Sequence, residues 1–374
     1  MVGISNIGAE AQKVNSVKAE KDRIEKEAFF CTTKELSRLG LEQIPTQFQS
    51  HKHLIYSSPA TLAFNSPGAE GFGVKRAGLA VPDSIMLIVA PGCCGRNTSL
   101  ISSMKEYNDR FYYLMMDETD IVTGRHLKKI PKAVEEICNC CEKRPSVVMI
   151  CITCVDALLG TDMERVCRKA EERAGLPVRP CYMYALTREG RKPPMVHVRQ
   201  SLYSLLELKK KKGNVVNLLG FFSPLIDECE LYDLLHSAGV KTIHEISRCK
   251  DYEEYQTMSE ANFNLVLHPE ARFAAEDFHN RLQIPFIELR RLCQTDKIAS
   301  QYQAFGKVLG VTFSDEVYRE KAEETVAKFK EKRPDASFAI GECMNGDPFE
   351  MALAMIKYGF KVPEIYGTLT AENF

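Results

Sequence analysis

The chain has 374 residues, 45% apolar and 26% charged, with a formal net charge of -1. This is the composition of an ordinary soluble globular protein, and it argues against a nucleic-acid binder. At about 100–200 residues per domain, the length allows two or three domains, each able to bury its own core. No stretch reaches the roughly 18 apolar residues of a membrane span, and the N-terminus lacks an apolar run with a small-residue cleavage site. A cytoplasmic protein off the membrane is expected. In that reducing compartment the 14 cysteines are not a disulfide framework: most should be buried core residues, and those that matter should be metal ligands or redox groups.

Residues from about Glu10 to Lys26 are rich in Lys, Glu and Ala without an apolar stripe, and read as a solvated helix or arm within a lead-in over 1–60. From Pro82 the pattern becomes short apolar runs alternating with amphipathic segments, the mark of βαβ units and a parallel sheet. The predicted strands are Ile85 to Ala90, Phe111 to Met116, Ser146 to Ile152, Val215 to Gly220, Thr242 to Ile246, Asn264 to His268 and Ala336 to Ile340. Helices are predicted at Leu127 to Glu142, Asp162 to Ala174, Leu225 to Ala238 and Glu270 to Leu282. Lys209 to Lys212, closed by Gly213, reads as a helix end leading into a new domain, or simply as a solvated terminus. A further boundary falls in the charged helix Ser314 to Lys332, before Pro334. The expected organisation is an α/β domain over 61–212, a second Rossmann-like domain over 213–332 and a partial third α/β domain over 333–374.

Two cysteine motifs follow predicted strands. Pro91-Gly92-Cys93-Cys94-Gly95 comes directly after Ile85 to Ala90, and Cys151-Ile152-Thr153-Cys154 closes the run from Ser146. Parallel sheets bind ligands at the carboxyl ends of their strands, and glycines there let the backbone turn tightly around a bound group. Iron–sulfur clusters need thiolate ligands and gain from backbone N–H donors. By themselves these motifs suit a zinc site or inert core cysteines about as well.

The surroundings narrow the choice. Asp117-Glu118-Thr119-Asp120-Ile121-Val122-Thr123-Gly124, the helix from Leu127, the strand to Ile152, and Cys154 with Leu158-Leu159-Gly160-Thr161-Asp162-Met163-Glu164 resemble the consecutive signature of nitrogenase component 1 subunits. In that family an acidic residue precedes D-I-V-x-G-G, and a ligand cysteine leads into a G-L-I-G-D-D-I turn. The family's G-P-x-G-C is similar to Ala90-Pro91-Gly92-Cys93-Cys94, whose proline sets Cys94 in the ligand position, with Cys93 the alternative if the register slips by one. Phe263 to Val266 and Ile284-Pro285-Phe286 resemble the family's second-domain strand and turn. The resemblance extends from about residue 60 to the C-terminus. It implies tandem Rossmann-like parallel-sheet domains of the nitrogenase component 1 type, with the third reading as incomplete.

By the same resemblance, Cys94 and Cys154 bind an iron–sulfur cluster. With two thiolates per chain, the simplest is one [4Fe–4S] cluster shared across a homo- or heterodimer with a second component 1-like subunit. The family's third cysteine, about two dozen residues before the G-P-x-G-C ligand, has no counterpart in Asn65 to Gly71. The alternatives are loss of that ligand, oxygen ligation by Ser66 or Glu70, or Cys31 reaching in from elsewhere. A separate ATP-dependent iron–sulfur reductase protein is the implied electron donor. His268 stands near a cysteine that ligates the catalytic metallocluster in nitrogenases, although a lone His at a strand end is more often structural. These departures from the catalytic nitrogenases, together with the lack of a recognisable third-domain His ligand, point away from dinitrogen as the substrate, and the resemblance assigns no catalytic residue. Asp117, Glu118 and Asp120 are weak proton-handling candidates, because acids after a strand also cap helices. The readings open here are an electron-relaying oxidoreductase subunit, a scaffold for metallocluster assembly, and an inert partner subunit.

Overall fold

The computed structural model describes residues 49–50, 75–92, 107, 109–153, 159–182, 192, 194–341, 347–366 and 369–370. The chain divides into one compact unit over Ile55–Lys328 and another combining Met1–Leu54 with Phe329–Phe374.

The larger unit is built on two four-stranded parallel sheets. The first holds β1 (Ile85–Ala90), β2 (Phe111–Met115), β3 (Val148–Ile152) and β4 (Val178–Tyr182) in the order β2-β1-β3-β4. All six residues of β1 are buried, as expected of a strand covered on both faces. Alternation sends Ile85, Leu87 and Val89 to one face and Met86, Ile88 and Ala90 to the other.

Between β2 and β3 lie α1 (Glu118–Thr123) and α2 (His126–Cys140), and α3 (Met163–Ala174) precedes β4. Ile130, Val134 and Cys138 on α2, and Met163, Val166, Cys167 and Ala170 on α3, recur every three or four residues. That spacing gives each helix one apolar stripe, and both stripes pack on the Ile85 face. Asp162 caps α3 by accepting the Arg165 N–H at 2.9 Å, and Gly175, at φ +64°, ends it in the left-handed conformation that glycine adopts most cheaply.

The second sheet contains β5 (Val215–Leu219), β6 (Thr242–His244), β7 (Phe263–Val266) and β8 (Phe286–Glu288), in the order β6-β5-β7-β8. The opposite face of the first sheet shares its core with this one. Val198 and Leu202 of α4 (Pro194–Tyr203) and Ala274, Phe278 and Leu282 of α7 (Arg272–Leu282) sit between Met86 and Ile88 on one side and Leu219 and Val266 on the other. Tyr255, in the intervening helix α6 (Tyr252–Thr257), is buried there and donates to the Leu202 carbonyl at 2.6 Å. The outer face of the second sheet is covered by Leu231, Leu234 and Leu235 of α5 (Glu230–Ser237) and Tyr302 and Phe305 of α8 (Thr295–Leu309). Helix α9 (Glu316–Lys332) follows and buries none of its residues.

In the smaller unit, β9 (Ser337–Gly341), α10 (Pro348–Lys357) and β10 (Lys361–Tyr366) form one parallel βαβ element around Ile340, Ala352 and Val362. The rings of Phe329, Phe338 and Phe360 pack together, and Gln49–Ser50 pairs with Leu369–Thr370.

The tandem Rossmann-like α/β architecture is as the sequence implies, and every predicted strand is present within a residue or two. Three expectations need correction. Lys209 to Lys212 is not a helix end: α4 stops at Tyr203, and 206–212 has no regular structure. Its backbone and lysines are instead used in crossing to the second sheet, with the Lys212 N–H on the Glu260 carbonyl at 2.9 Å and Lys211 Nζ on the Ser259 carbonyl at 2.8 Å. The helix expected over Leu225 to Ala238 begins only at Glu230, because the Leu225 N–H and carbonyl are taken by Glu245 and Arg248. The strand expected to reach Ile246 ends at His244 and gives way to a single turn, Ile246–Arg248.

Candidate functional site

In the first sheet the chain steps from β1 to β2 on one side, then returns to β3 on the other side of β1. The direction of winding therefore reverses between β1 and β3, and the crevice outside their carboxyl ends is where sheets of this kind hold ligands. Val89 and Ile152 are register partners, and the Thr153 N–H continues the ladder to the Val89 carbonyl at 3.4 Å. Neighbouring strands lie about 4.8 Å apart, so the two chain exits, Pro91-Gly92 and Thr153, leave the sheet side by side. Cys93 and Cys94 follow Gly92, and Cys154 follows Thr153. These three residues, like Cys31, Ser66 and Glu70, lie outside the described residues.

Two features of the exits are informative. A Cβ at Gly92 would stand 3.1 Å from Met115 Cε, the flexible tip of an exposed side chain at the end of β2, which need give only a few tenths of an ångström to admit it. Thr153 is 1% exposed, and its hydroxyl has no partner among the described residues. A buried hydroxyl left unmet costs about 1–3 kcal/mol.

The acids after β2 are used locally. Asp117 caps α1, accepting the Asp120 N–H at 2.7 Å, while the Asp120 carboxylate accepts the Asp117 N–H at 3.3 Å in a reciprocal box. Asp120 also pairs with Lys129 at 2.7 Å and Arg125 at 3.3 Å, and the Lys129 hydrogen bond holds its carboxyl below the usual range. Glu118 lies in the first turn of α1. The arrangement is that of a helix cap.

His268 ends up at the matching crevice of the second sheet, between β5 and β7. Its Nδ1 accepts the Glu270 N–H at 3.3 Å, its ring meets Phe221 edge-on at 5.7 Å, and burial lowers its pKa. Gly220, at φ +141°, faces it so closely that a Cβ would stand 2.8 Å from the His268 backbone nitrogen. Arg199 closes this edge from below, donating to the Gly220 carbonyl at 3.1 and 2.6 Å and to Glu270 Oε2 at 2.7 Å, with its guanidinium over the Phe222 ring. Sequence reasoning missed this lock, because Arg199 and Glu270 are far apart in the chain and nothing local marks them. Among the described residues no group of three or more His, Cys, Asp or Glu is arranged to hold a metal ion.

The remaining described cysteines near the first sheet are away from its carboxyl edge or inside its core. Cys138, Cys140 and Cys141 lie at the far end of α2, which returns the chain toward the start of β3; Cys141 Sγ is 3.2 Å from the Tyr112 hydroxyl. Cys151 and Cys181 are register partners on β3 and β4, both buried, and burial pushes the Cys181 thiol well up. Neither position favours a thiolate.

Comparison with known proteins agrees with this architecture. The profile of the family described as Nitrogenase component 1 type Oxidoreductase matches residues 70–339. The nitrogenase iron-molybdenum cofactor biosynthesis protein NifE of Nostoc sp. is 26% identical over 264 residues, 66% of this chain and 54% of that protein. The nitrogenase molybdenum-iron protein alpha chain of Methanosarcina barkeri is 24% identical over 224 residues, 58% of this chain and 40% of that one. The chain thus spans about half the length of these relatives. The solved structure of nitrogenase Cp1 at pH 6.5 superimposes with a TM-score of 0.59 at 17% identity, over 80% of this chain and 71% of that one, a likeness of fold.

Proposed function

Because the chain belongs to the family of nitrogenase component 1 type oxidoreductases, we propose that it is the iron–sulfur subunit of a nitrogenase-like oxidoreductase, relaying electrons from an ATP-dependent reductase protein to a substrate other than dinitrogen. The observation that carries this reading is the pairing of β1 with β3, whose carboxyl ends stand side by side at the crevice of the first sheet suited to a ligand and are each followed in the sequence by cysteine.

Cys94 and Cys154 would hold the cluster, with Cys93, Cys31 or Ser66 as further candidate ligands. The surroundings of Cys154 suit such a group: the approach to it carries a buried hydroxyl with no partner among the described residues. When bound, a [4Fe–4S] cluster supplies one-electron storage. The chain's own part is to present thiolates from a rigid sheet edge and to shield them. Two thiolates per chain leave such a cluster half ligated, so a dimer with an identical or related subunit completes it. Among the described residues no helix is long and apolar enough to cross a membrane, and the cytoplasm, where thiolates stay reduced, is the proposed setting. Domain borders near residues 212 and 332 belong to the same proposal.

Anaerobic purification with iron and sulfide analysis tests this directly. Cys94→Ala and Cys154→Ala should each lose most of the iron, whereas Cys138→Ala and Cys141→Ala should keep it. Full iron in both strand-end variants would remove the central claim.

A second reading, a scaffold on which a metallocluster is assembled, is favoured by the similarity to the Nostoc iron-molybdenum cofactor biosynthesis protein. Substrate turnover by the chain with its partner and a reductase supports the first reading. Transfer of its cluster to an acceptor without turnover supports the second.

A further inference from the structure

Thr153 stands at the end of β3, one residue before Cys154. Its N–H still belongs to the β3–β1 ladder, its side chain is almost fully buried, and its hydroxyl meets no partner among the described residues. A hydroxyl offers one donor and two acceptor sites, and native interiors leave few such groups empty, so each that is empty calls for an explanation such as a bound ion or ligand. Valine has nearly the same shape and would avoid the penalty altogether.

The other unmet buried atoms differ in kind. Asn217 Oδ1 and Asn264 Nδ2 belong to amides whose other halves are bonded, Asn217 Nδ2 donating to Asn264 Oδ1 at 2.7 Å and to the Met258 carbonyl at 2.8 Å. Ser247 lies in a half-buried turn. Gln294 Oε1 is an amide oxygen, and although Gln294 follows Cys293 it stands immediately before α8, beyond the end of β8. Thr153 directly follows β3, whose end pairs with β1, and precedes Cys154.

We infer that Thr153 is a positioning residue whose hydroxyl donates to a sulfur of the cluster held by Cys94 and Cys154, an inference that rests on the cluster reading above. Reduction adds negative charge to the cluster. A hydrogen-bond donor stabilises the more negative state more strongly, so the hydroxyl raises the reduction potential.

The test uses the full chain, purified anaerobically and loaded with iron and sulfide, as wild type, Thr153→Val and Thr153→Ser. Iron content should be equal in all three. In a redox titration followed by electron paramagnetic resonance, the valine variant should shift to a more negative midpoint, while serine stays near wild type. In the iron-free proteins valine should raise the melting temperature, because an unmet hydroxyl has been removed, and that gain should shrink or reverse on loading. Equal potentials in the three loaded proteins, or a lower melting temperature for iron-free valine, overturn the inference and leave the cluster reading intact. Wild type that takes up no iron overturns both.

Discussion

The two sheets of the larger unit share one plan and differ at one place. Each has the second strand outside the first and the third on the other side, so each has a crevice between its first and third strands. In the second sheet that crevice is occupied by the protein itself: Gly220 packs against His268, and Arg199 ties the Gly220 carbonyl to Glu270. In the first, the strand ends give way to Gly92 and to a Thr153 hydroxyl with no partner among the described residues, each next to cysteine in the sequence. Topology makes a place for a ligand, and the local polar pairing decides whether the place is closed.

The comparison is broken most forcefully at the Arg199–Glu270 pair. Removing one partner of a buried ion pair strands the other, so Glu270→Ala should destabilise the chain by about 3–5 kcal/mol in urea unfolding. A loss within the range of an exposed pair, below about 1 kcal/mol, would mean that the second crevice is not locked by this contact. Next comes Gly220→Ala, where the added methyl meets backbone at a φ that side chains rarely adopt. A cost of about 2–3 kcal/mol is expected, with urea unfolding again the measurement. Thermal unfolding of the same variant with and without iron sharpens the point, since the change in melting temperature should be the same in both.

The smallest effect is a pH dependence. Burial lowers the His268 pKa in the folded state, so the unfolded chain takes up the proton first as pH falls. The stability that comes from keeping this ring neutral is present above its unfolded pKa of about 6.5 and is lost as pH drops below it toward the lower folded value. His197 behaves alike, with burial bringing it down to about 4, so its window runs from about 6.5 to about 4. His268→Gln should therefore flatten the decline in stability just below pH 6.5 without abolishing it, and His268→Gln combined with His197→Gln should flatten it further. A decline unchanged in the double variant would remove both rings from the account.

Much of the fold was legible where one residue pattern leaves one physical solution. The runs at Ile85, Val148 and Val215 are continuous apolar strands that only burial on both faces can satisfy, and all are fully buried. Strand β4 was not legible, because Arg179 and Pro180 interrupt Val178–Tyr182. The fold tolerates them there since β4 is an edge strand and pairs on one side only. Strand β8 is three half-buried residues and carries little pattern to read.

By itself the sequence determined that two cysteine motifs follow buried strands and that the chain alternates strand and helix, since both depend on neighbours a few residues apart. It also carried the family resemblance from the acidic run at Asp117 through the turn after Cys154. Only the tertiary structure decided that β1 and β3 are adjacent, that Asp117 and Asp120 are spent on a cap with Lys129, and that Arg199 reaches Glu270. Those outcomes depend on which strands pair and which helix faces meet, long-range choices made by burying apolar area on both sides of a sheet, and no local signal encodes the partner.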